Sequence, residues 1–301
     1  MSLTSASRPS LFQMGFFQVT ANQEPVKEGV LERTFNHWFE FVELIRNEHA
    51  NCPAYIYRGQ AHSWPLKSTL DRLEGEYPTK RNFSGGIPKA FECPPAGRDD
   101  HLQAFKAAAR GRTRVPIPDS QEDEWWELGQ HHGLATPMLD WTLYPFAALF
   151  FAFEARRVEI NGSFQEPDRR YVYRVAWHLV EEKLKTGEDG PSPIEPKLAI
   201  TQRQFTQRAV FLKMPQECDL EEFIRKKFPD ETGDQALSTR AVLEIISISG
   251  KEWQECLKFL NKMGLNRMSL FPDLDGAAKY INDLWQLDFD SSIGQIVSRR
   301  D

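Results

Sequence analysis

Apolar and polar positions alternate along this chain in two rhythms. From Val30 to Ile45, Leu31, Phe35, Trp38, Phe39, Val42 and Ile45 recur at helical spacing with Glu32, Glu40 and Glu43 between them, which predicts one amphipathic helix. Ala54-Tyr55-Ile56-Tyr57-Arg58 is β-branched and aromatic and predicts a strand that Gly59 ends. Further strands are expected at Tyr171 to Trp177, at Ala209-Val210-Phe211-Leu212 and at Ala241 to Ile248. Helices are expected after Arg98-Asp99-Asp100, after Ser120 and Asp123 as far as Gly133, over Asp219 to Phe228, from the Ser249/Glu252 pair to Gly264, and from Phe271-Pro272-Asp273 through Leu284. Loops are expected at Glu74 to Pro95 and Lys183 to Pro196, where Gly, Pro and charge accumulate.

One stretch breaks both rhythms. Gln130-His131-His132-Gly133-Leu134-Ala135-Thr136-Pro137-Met138-Leu139-Asp140-Trp141-Thr142 is polar and rich in proton-handling groups, and Pro145 to Phe153 right after it is almost wholly apolar. A helix apolar on all sides belongs inside a large domain, with Pro145 at its first position and the Asp140-Trp141-Thr142 turn leading into it. A polar turn anchored to a core is a place where a site can be built. With few strands and no βαβ rhythm, the fold class is α+β: a single large domain with a mixed sheet flanked by helices over 29–287, an N-terminal arm over 1–28, and a polar tail over 288–301.

Composition narrows the function classes. A chain of 301 residues that is 41% hydrophobic can bury a sizeable core. The net charge of −6 argues against a surface that is nucleic-acid footprint throughout. Cys52, Cys93, Cys218 and Cys256 form no Cys-x-x-Cys pair and read as free thiols of a cytoplasmic protein. The longest apolar segment falls well short of the ~18 residues a membrane span needs, so no membrane partner is expected.

Three groups can carry chemistry. His131 and His132 titrate near neutrality, but neighbours on a helix point about 100° apart, and no further ligands stand at familiar spacing, so no metal is expected. Their ordinary role would be stabilisation by the helix C-terminus. Arg58 at a strand end can hold phosphate or carboxylate bidentately or form a plain surface ion pair. Asp140 can serve a site, cap a helix, or pair with an arginine. A Gly-x-x-x-x-Gly-Lys loop and a Gly-x-Ser-x-Gly elbow are both missing, which disfavours P-loop and α/β-hydrolase chemistry.

Tyr57-Arg58-Gly59-Gln60 with Trp64-Pro65-Leu66, the Gln130 to Thr136 and Leu139 to Thr142 motifs, Pro145 to Ala152, the block at Arg203 and Gln207 to Phe211, and Leu270 to Gly276 together resemble the FRG domain, over roughly residues 36–285. The family usually has Pro and Arg where this chain has Ala135 and Pro137, and Gly where it has Ala209, which removes one cation from any anion pocket. The layout is also similar to ADP-ribosyltransferases. That resemblance implies a bacterial or phage-related effector or toxin that binds NAD and transfers ADP-ribose or cleaves NAD. Arg58, His131, His132, Asp140 and Gln207 would be its catalytic set, with Gln207 where the catalytic Glu would stand. Tyr57, Gln60, Thr136, Trp141, Thr142 and Tyr144 would bind the nucleotide beside Arg58, with Trp141 or Tyr144 stacking on a base.

Two other readings stay open. Arg58, His131, Asp140 and Thr142 could form a structural polar network in a binding or sensor module. Arg110, Arg112 and Arg114 beside Trp125 and Trp126 could meet a nucleic-acid partner or acceptor, and a protein acceptor is equally compatible with the transferase layout.

Overall fold

The computed structural model describes residues 22–23, 25–49, 55–76, 97–112, 117–184, 189–194, 208–229 and 241–287. Asn22–Gln23 (β1) pairs antiparallel with Val30–Phe35 (β2). The single helix expected from Val30 is therefore two elements. Leu31, Arg33 and Phe35 are buried while Glu32 and Thr34 are exposed, a period of two that only a strand provides. The helix α1 begins at Trp38 and runs to Leu44, and a π turn follows over Ile45–His49. The switch falls at Asn36-His37, whose main-chain N–H groups donate to Glu40 Oε1 at 3.0 and 2.9 Å and so satisfy two orphan donors of the helix start.

The remaining strands are β3 (Tyr55–Gln60), β4 (Met138–Thr142), β5 (Val158–Ile160), β6 (Ser163–Gln165), β7 (Arg169–Ala176), β8 (Ser192–Ile194), β9 (Ala209–Lys213) and β10 (Leu243–Ser249). Among the described residues, β1 and β2 join six of these in one eight-stranded mixed sheet in the order β1-β2-β10-β7-β3-β4-β9-β8, in which β2 and β10 pair parallel and the other neighbours antiparallel. The mixed sheet was expected, but the number of strands was not. Asp140-Trp141-Thr142 is a sheet strand, not the start of a helix. β8 lies inside the loop expected after Lys183, and Trp177 opens a helix instead of closing β7.

The helices α2 (Thr69–Glu76), α3 (Arg98–Ala109), α4 (Glu122–His131), α5 (Pro145–Phe153), α6 (Trp177–Leu184), α7 (Leu220–Lys227), α8 (Trp253–Lys262), α9 (Arg267–Leu270) and α10 (Leu274–Leu287) cover the sheet. α2 takes in Glu74 to Glu76, which were expected as loop; of the arm expected over 1–28, Asn22–Gln23 joins the sheet as β1, while 1–21, 77–96 and the tail over 288–301 lie outside the described residues. Gly133 and Gly264 end their helices with φ of +85° and +80°, as expected of left-handed caps. The Ser120 and Ser249 boxes do not form: the N-caps are Gln121 and Glu252, neither with a side-chain bond. At α7 the cap is real, since Asp219 Oδ1 accepts from Glu221 N at 2.9 Å and Glu222 N at 3.4 Å. Asp219→Ala should cost about 1 kcal/mol in a urea melt with an unchanged slope.

Sequence alternation sets the two sheet faces. Tyr57 and Val172 pack on one face with α1, α5 and α8, and Ile56, Trp141 and Leu212 on the other with α6 and α7. Met138 and Phe211 pack on the α5 side too, but beneath α3 and α4. Two separate helical covers thus share that face, and the seam between them falls at β3 and β4. The α5 end is fixed by Arg170, which is fully buried. Its Nη1 donates to the carbonyls of Ala152 and Ala155 at 2.8 Å each, and its guanidinium lies over the Phe153 ring. A cation at the helix C-terminus complements the dipole there, although burial pushes Arg170 down to about 10.

Candidate active site

The sheet is whole on either side of one gap. β3 pairs with β7 from Tyr55 to Gln60, and β4 pairs with β9 along its length, whereas β3 and β4 meet only at Tyr57↔Thr142. Beyond that pair the two strands splay, and an open cleft of about 420 Å³ occupies the gap. Such a volume lies within the range of small-ligand sites. Gly59 makes the geometry possible: a Cβ there would lie 1.8 Å from the Ala148 carbonyl oxygen and 2.6 Å from Ala152 N. Instead of ending the strand, Gly59 lets α5 press against it.

Arg58 projects into this gap. Its Nη1 donates to the main-chain oxygen of Asp140 at 2.7 Å, across the missing part of the ladder, and its Nε donates to Gln60 Oε1 at 3.3 Å. Arg72, from α2, donates through Nη2 to the same Gln60 oxygen at 3.4 Å and to Pro65 O at 3.1 Å. Gln60 is held in turn by its Nε2 donating to Trp64 O at 2.9 Å. Two guanidiniums therefore flank one neutral oxygen, and neither forms an ion pair with a carboxylate among the described residues. Burial, with the neighbouring Arg72 charge adding to it, pushes Arg58 down to about 10 against the pull of Asp140, and burial also lowers Arg72, opposed first by Asp219 and less by Tyr173 and Asp140. Arg72 Nε is buried without any hydrogen-bond partner among the described residues, as is Trp141 Nε1, and orphan donors in a cleft favour an acceptor-rich ligand.

The carboxylate of Asp140 lies on the α5 side of the sheet. It accepts a short hydrogen bond from Gln130 Nε2, and Gln130 Oε1 accepts from Thr136 Oγ1 at 2.9 Å. Asp140 is open to water, yet protein packs densely around it. Both are properties of the floor of a cleft, and the crowding raises its pKa above the ordinary carboxylate value in spite of Arg58, Gln130 and Arg72. Glu154, just past α5, also lines the cleft; burial raises its pKa against the pull of Arg267, whose Nη1 meets its Oε2 at 2.6 Å. Phe151 and Phe271 stand edge to face at 6.0 Å on the same lining.

Of the expected residues, Tyr57, Arg58, Gln60, Asp140, Trp141 and Thr142 do line the cleft. Thr136 is fully buried and acts through Gln130. His131 and His132 meet edge to face with ring centroids 4.9 Å apart and do not line it. They sit at the end of α4, where Gln130, one residue earlier and about 100° around the helix, takes the direction toward Asp140. Tyr144 is exposed outside the cleft, and Trp141 is packed in the core on the α6 side. Gln207 lies outside the described residues. Trp125 and Trp126 are buried, which removes the stacking platform expected beside Arg110 and Arg112, while Arg114 is outside the described residues.

Residues 53–160 match the model of the FRG domain. This chain carries an FRG domain. No curated protein and no solved structure matches it. The matched segment takes in β3, Gln130, β4 and α5, so it holds both sides of the gap, while Phe271 and Arg267 are contributed from beyond it. Sequence reasoning quoted Gln130 in the polar motif without giving it a site role, and it missed Arg72 and Glu154; of these two only Glu154 carried a signal, as the carboxylate that ends an otherwise apolar helix. Among the described residues no group of His, Cys, Asp and Glu could hold a metal ion, and no helix is long and apolar enough to cross a membrane.

Proposed function

We propose that the FRG-domain cleft binds NAD or a related nucleotide and acts at its ribosyl bond, releasing nicotinamide or passing ADP-ribose to an acceptor. The observation that carries this reading is the pair of guanidiniums around Gln60, partly desolvated and in no ion pair among the described residues, at one end of a cleft that holds a carboxylate, Asp140. A pyrophosphate is the ligand group whose charge and oxygen count suit two arginine forks. Loss of nicotinamide leaves positive charge on the ribose, and a carboxylate held in place beside it, partly screened from water, lowers that barrier by electrostatics. Asp140 takes that role, oriented by Gln130 and Thr136; Arg58 holds the phosphates.

The test is thermal unfolding with NAD, with nicotinamide release followed in parallel. Ligand at a hundredfold Kd stabilises by about 2.7 kcal/mol, which for a domain of this size is a rise of about 5–10 °C in Tm. Arg58→Ala should abolish that rise, and Arg58→Lys, which keeps charge and loses the fork, should recover only part of it. No stabilisation of the parent chain by millimolar NAD would end the reading.

A second reading has its own observation. The Arg58 bond to the Asp140 carbonyl spans the gap in the ladder, as a staple in a non-catalytic module would. In that case Arg58→Ala unfolds the ligand-free protein, lowering Tm by ~10 °C or more, instead of leaving it folded and inert.

A further inference from the structure

A second cavity, of about 580 Å³, lies between the start of α4 and the outer strand β8, and it shares no lining residue with the cleft. Glu124 lines it while being only 8% exposed. The carboxylate makes no hydrogen bond and no ion pair among the described residues. The N–H that a glutamate three residues past the cap ordinarily meets, here that of Gln121, is taken by Pro118 O at 3.0 Å. Neither oxygen of Glu124 is sealed from solvent, so an otherwise buried carboxylate opens onto the cavity. The positive end of the α4 dipole favours acidic residues here, and Glu122 and Asp123 profit from it while staying exposed. It does not account for a third carboxylate withdrawn from water with no donor to receive it, which is costly unless a cation sits beside it.

The other walls say what kind of cation. Lys213 Nζ meets Asp123 Oδ1 at 2.7 Å on the same lining, so this wall already receives one ammonium on a methylene stem. Pro193 and Ile194 supply an apolar side, along which methylenes can lie. Among the described residues no group of His, Cys, Asp and Glu could hold a metal ion, which leaves an organic cation. A buried carboxylate with exposed ones beside it suits a chain that carries ammonium groups at more than one point. We propose that this cavity binds a free linear polyamine, with one ammonium against Glu124 and another toward Glu122.

The experiment is equilibrium dialysis of the full chain against labelled spermidine at low salt, where a Kd on the order of 0.1 mM is expected. Glu124→Gln, which keeps the shape and removes the charge, should weaken binding at least tenfold, and Glu122→Gln, out in solvent, only about two- to threefold. Lys213→Ala should move it the other way, tightening spermidine about threefold by taking the rival ammonium off Asp123. Lys213 is 38% exposed in its side chain, so this variant keeps its fold and tests the site even where Glu124→Gln does not fold. Mg²⁺, which demands a near-octahedral shell of oxygens, should displace no more spermidine than NaCl of the same ionic strength. A lysine blocked at both ends carries a single ammonium and should bind at least tenfold more weakly than spermidine. No binding at millimolar spermidine, binding that either Glu124→Gln or Lys213→Ala leaves unchanged, or displacement by Mg²⁺ as effective as by unlabelled spermidine would overturn the site. A blocked lysine that binds as tightly as spermidine would overturn the polyamine and make the cavity a seat for a protein side chain. None of these results bears on NAD, whose cleft is separate.

Discussion

Gly59→Ala should cost about 4–5 kcal/mol, a fall of roughly 10–20 °C in Tm, and with that the protein is expected to accumulate largely unfolded at 37 °C. The added methyl would meet the Ala148 carbonyl oxygen at 1.8 Å and Ala152 N at 2.6 Å. Both are backbone atoms, so no rotamer change relieves the overlap, and α5 must move as a body. That helix is buried over Ala147 to Phe150 and again at Ala152 and Phe153, and its end is clamped by Arg170, so it has nowhere to go without opening the core, where overpacking already costs about 1–3 kcal/mol when side chains can adjust. Gly75→Ala is the matched control. Nothing lies within 4 Å of a Cβ there, and in the exposed α2 the exchange should stabilise by about 0.5–1 kcal/mol. A Gly59→Ala protein melting within about 2 °C of the parent would show that α5 does not rest on β3 as described.

That clash also explains the aromatic-Arg-Gly triplet in physical terms. Tyr57 fills the core beneath α5, Arg58 turns to the opposite face and into the gap, and Gly59 vacates the space that α5 occupies. β3 was legible because Tyr55 to Tyr57 are strand formers, and α5 because Pro145 opens a run with no polar face. The gap itself was not legible. It exists because β3 and β4 stop pairing after one position, a property of how strands 82 residues apart meet, and local pattern carries no information about such a meeting. Two errors came from the same source. Val30 to Phe35 satisfies helical and strand spacing together, and parallel pairing with β10 decides for the strand. Asp140 looked like a helix entry because Pro145 follows closely, yet the ladder to β9 holds it extended. The histidines drew notice for their chemistry, while the amide next to them makes the contact.

Asp140→Asn separates the catalytic reading from the structural one by moving stability and activity in opposite directions. Burial raises the Asp140 pKa, so folding prefers its neutral form. The stability this group adds is present below its unfolded-state pKa of about 3.9 and is lost as pH rises through the higher folded-state value. At neutral pH the ionised carboxylate is therefore a net burden, and Asn, whose amide oxygen can still accept from Gln130 Nε2, removes it. The variant should melt about 1–2 °C above the parent at pH 7, a small gain because water reaches the carboxylate, and the difference should vanish as pH falls below both values. Nicotinamide release should meanwhile drop about 10³-fold with NAD affinity changed less than tenfold, since a charge that acts on the developing ribosyl cation belongs to the transition state more than to binding. In the parent, release should fail on acidification at a higher pH than an ordinary aspartate would set, as Asp140 takes up its proton. An Asp140→Asn protein that loses 5 °C or more at pH 7 would mean that the negative charge is a structural partner of Arg58, because only a net attraction to the guanidinium could make its removal costly.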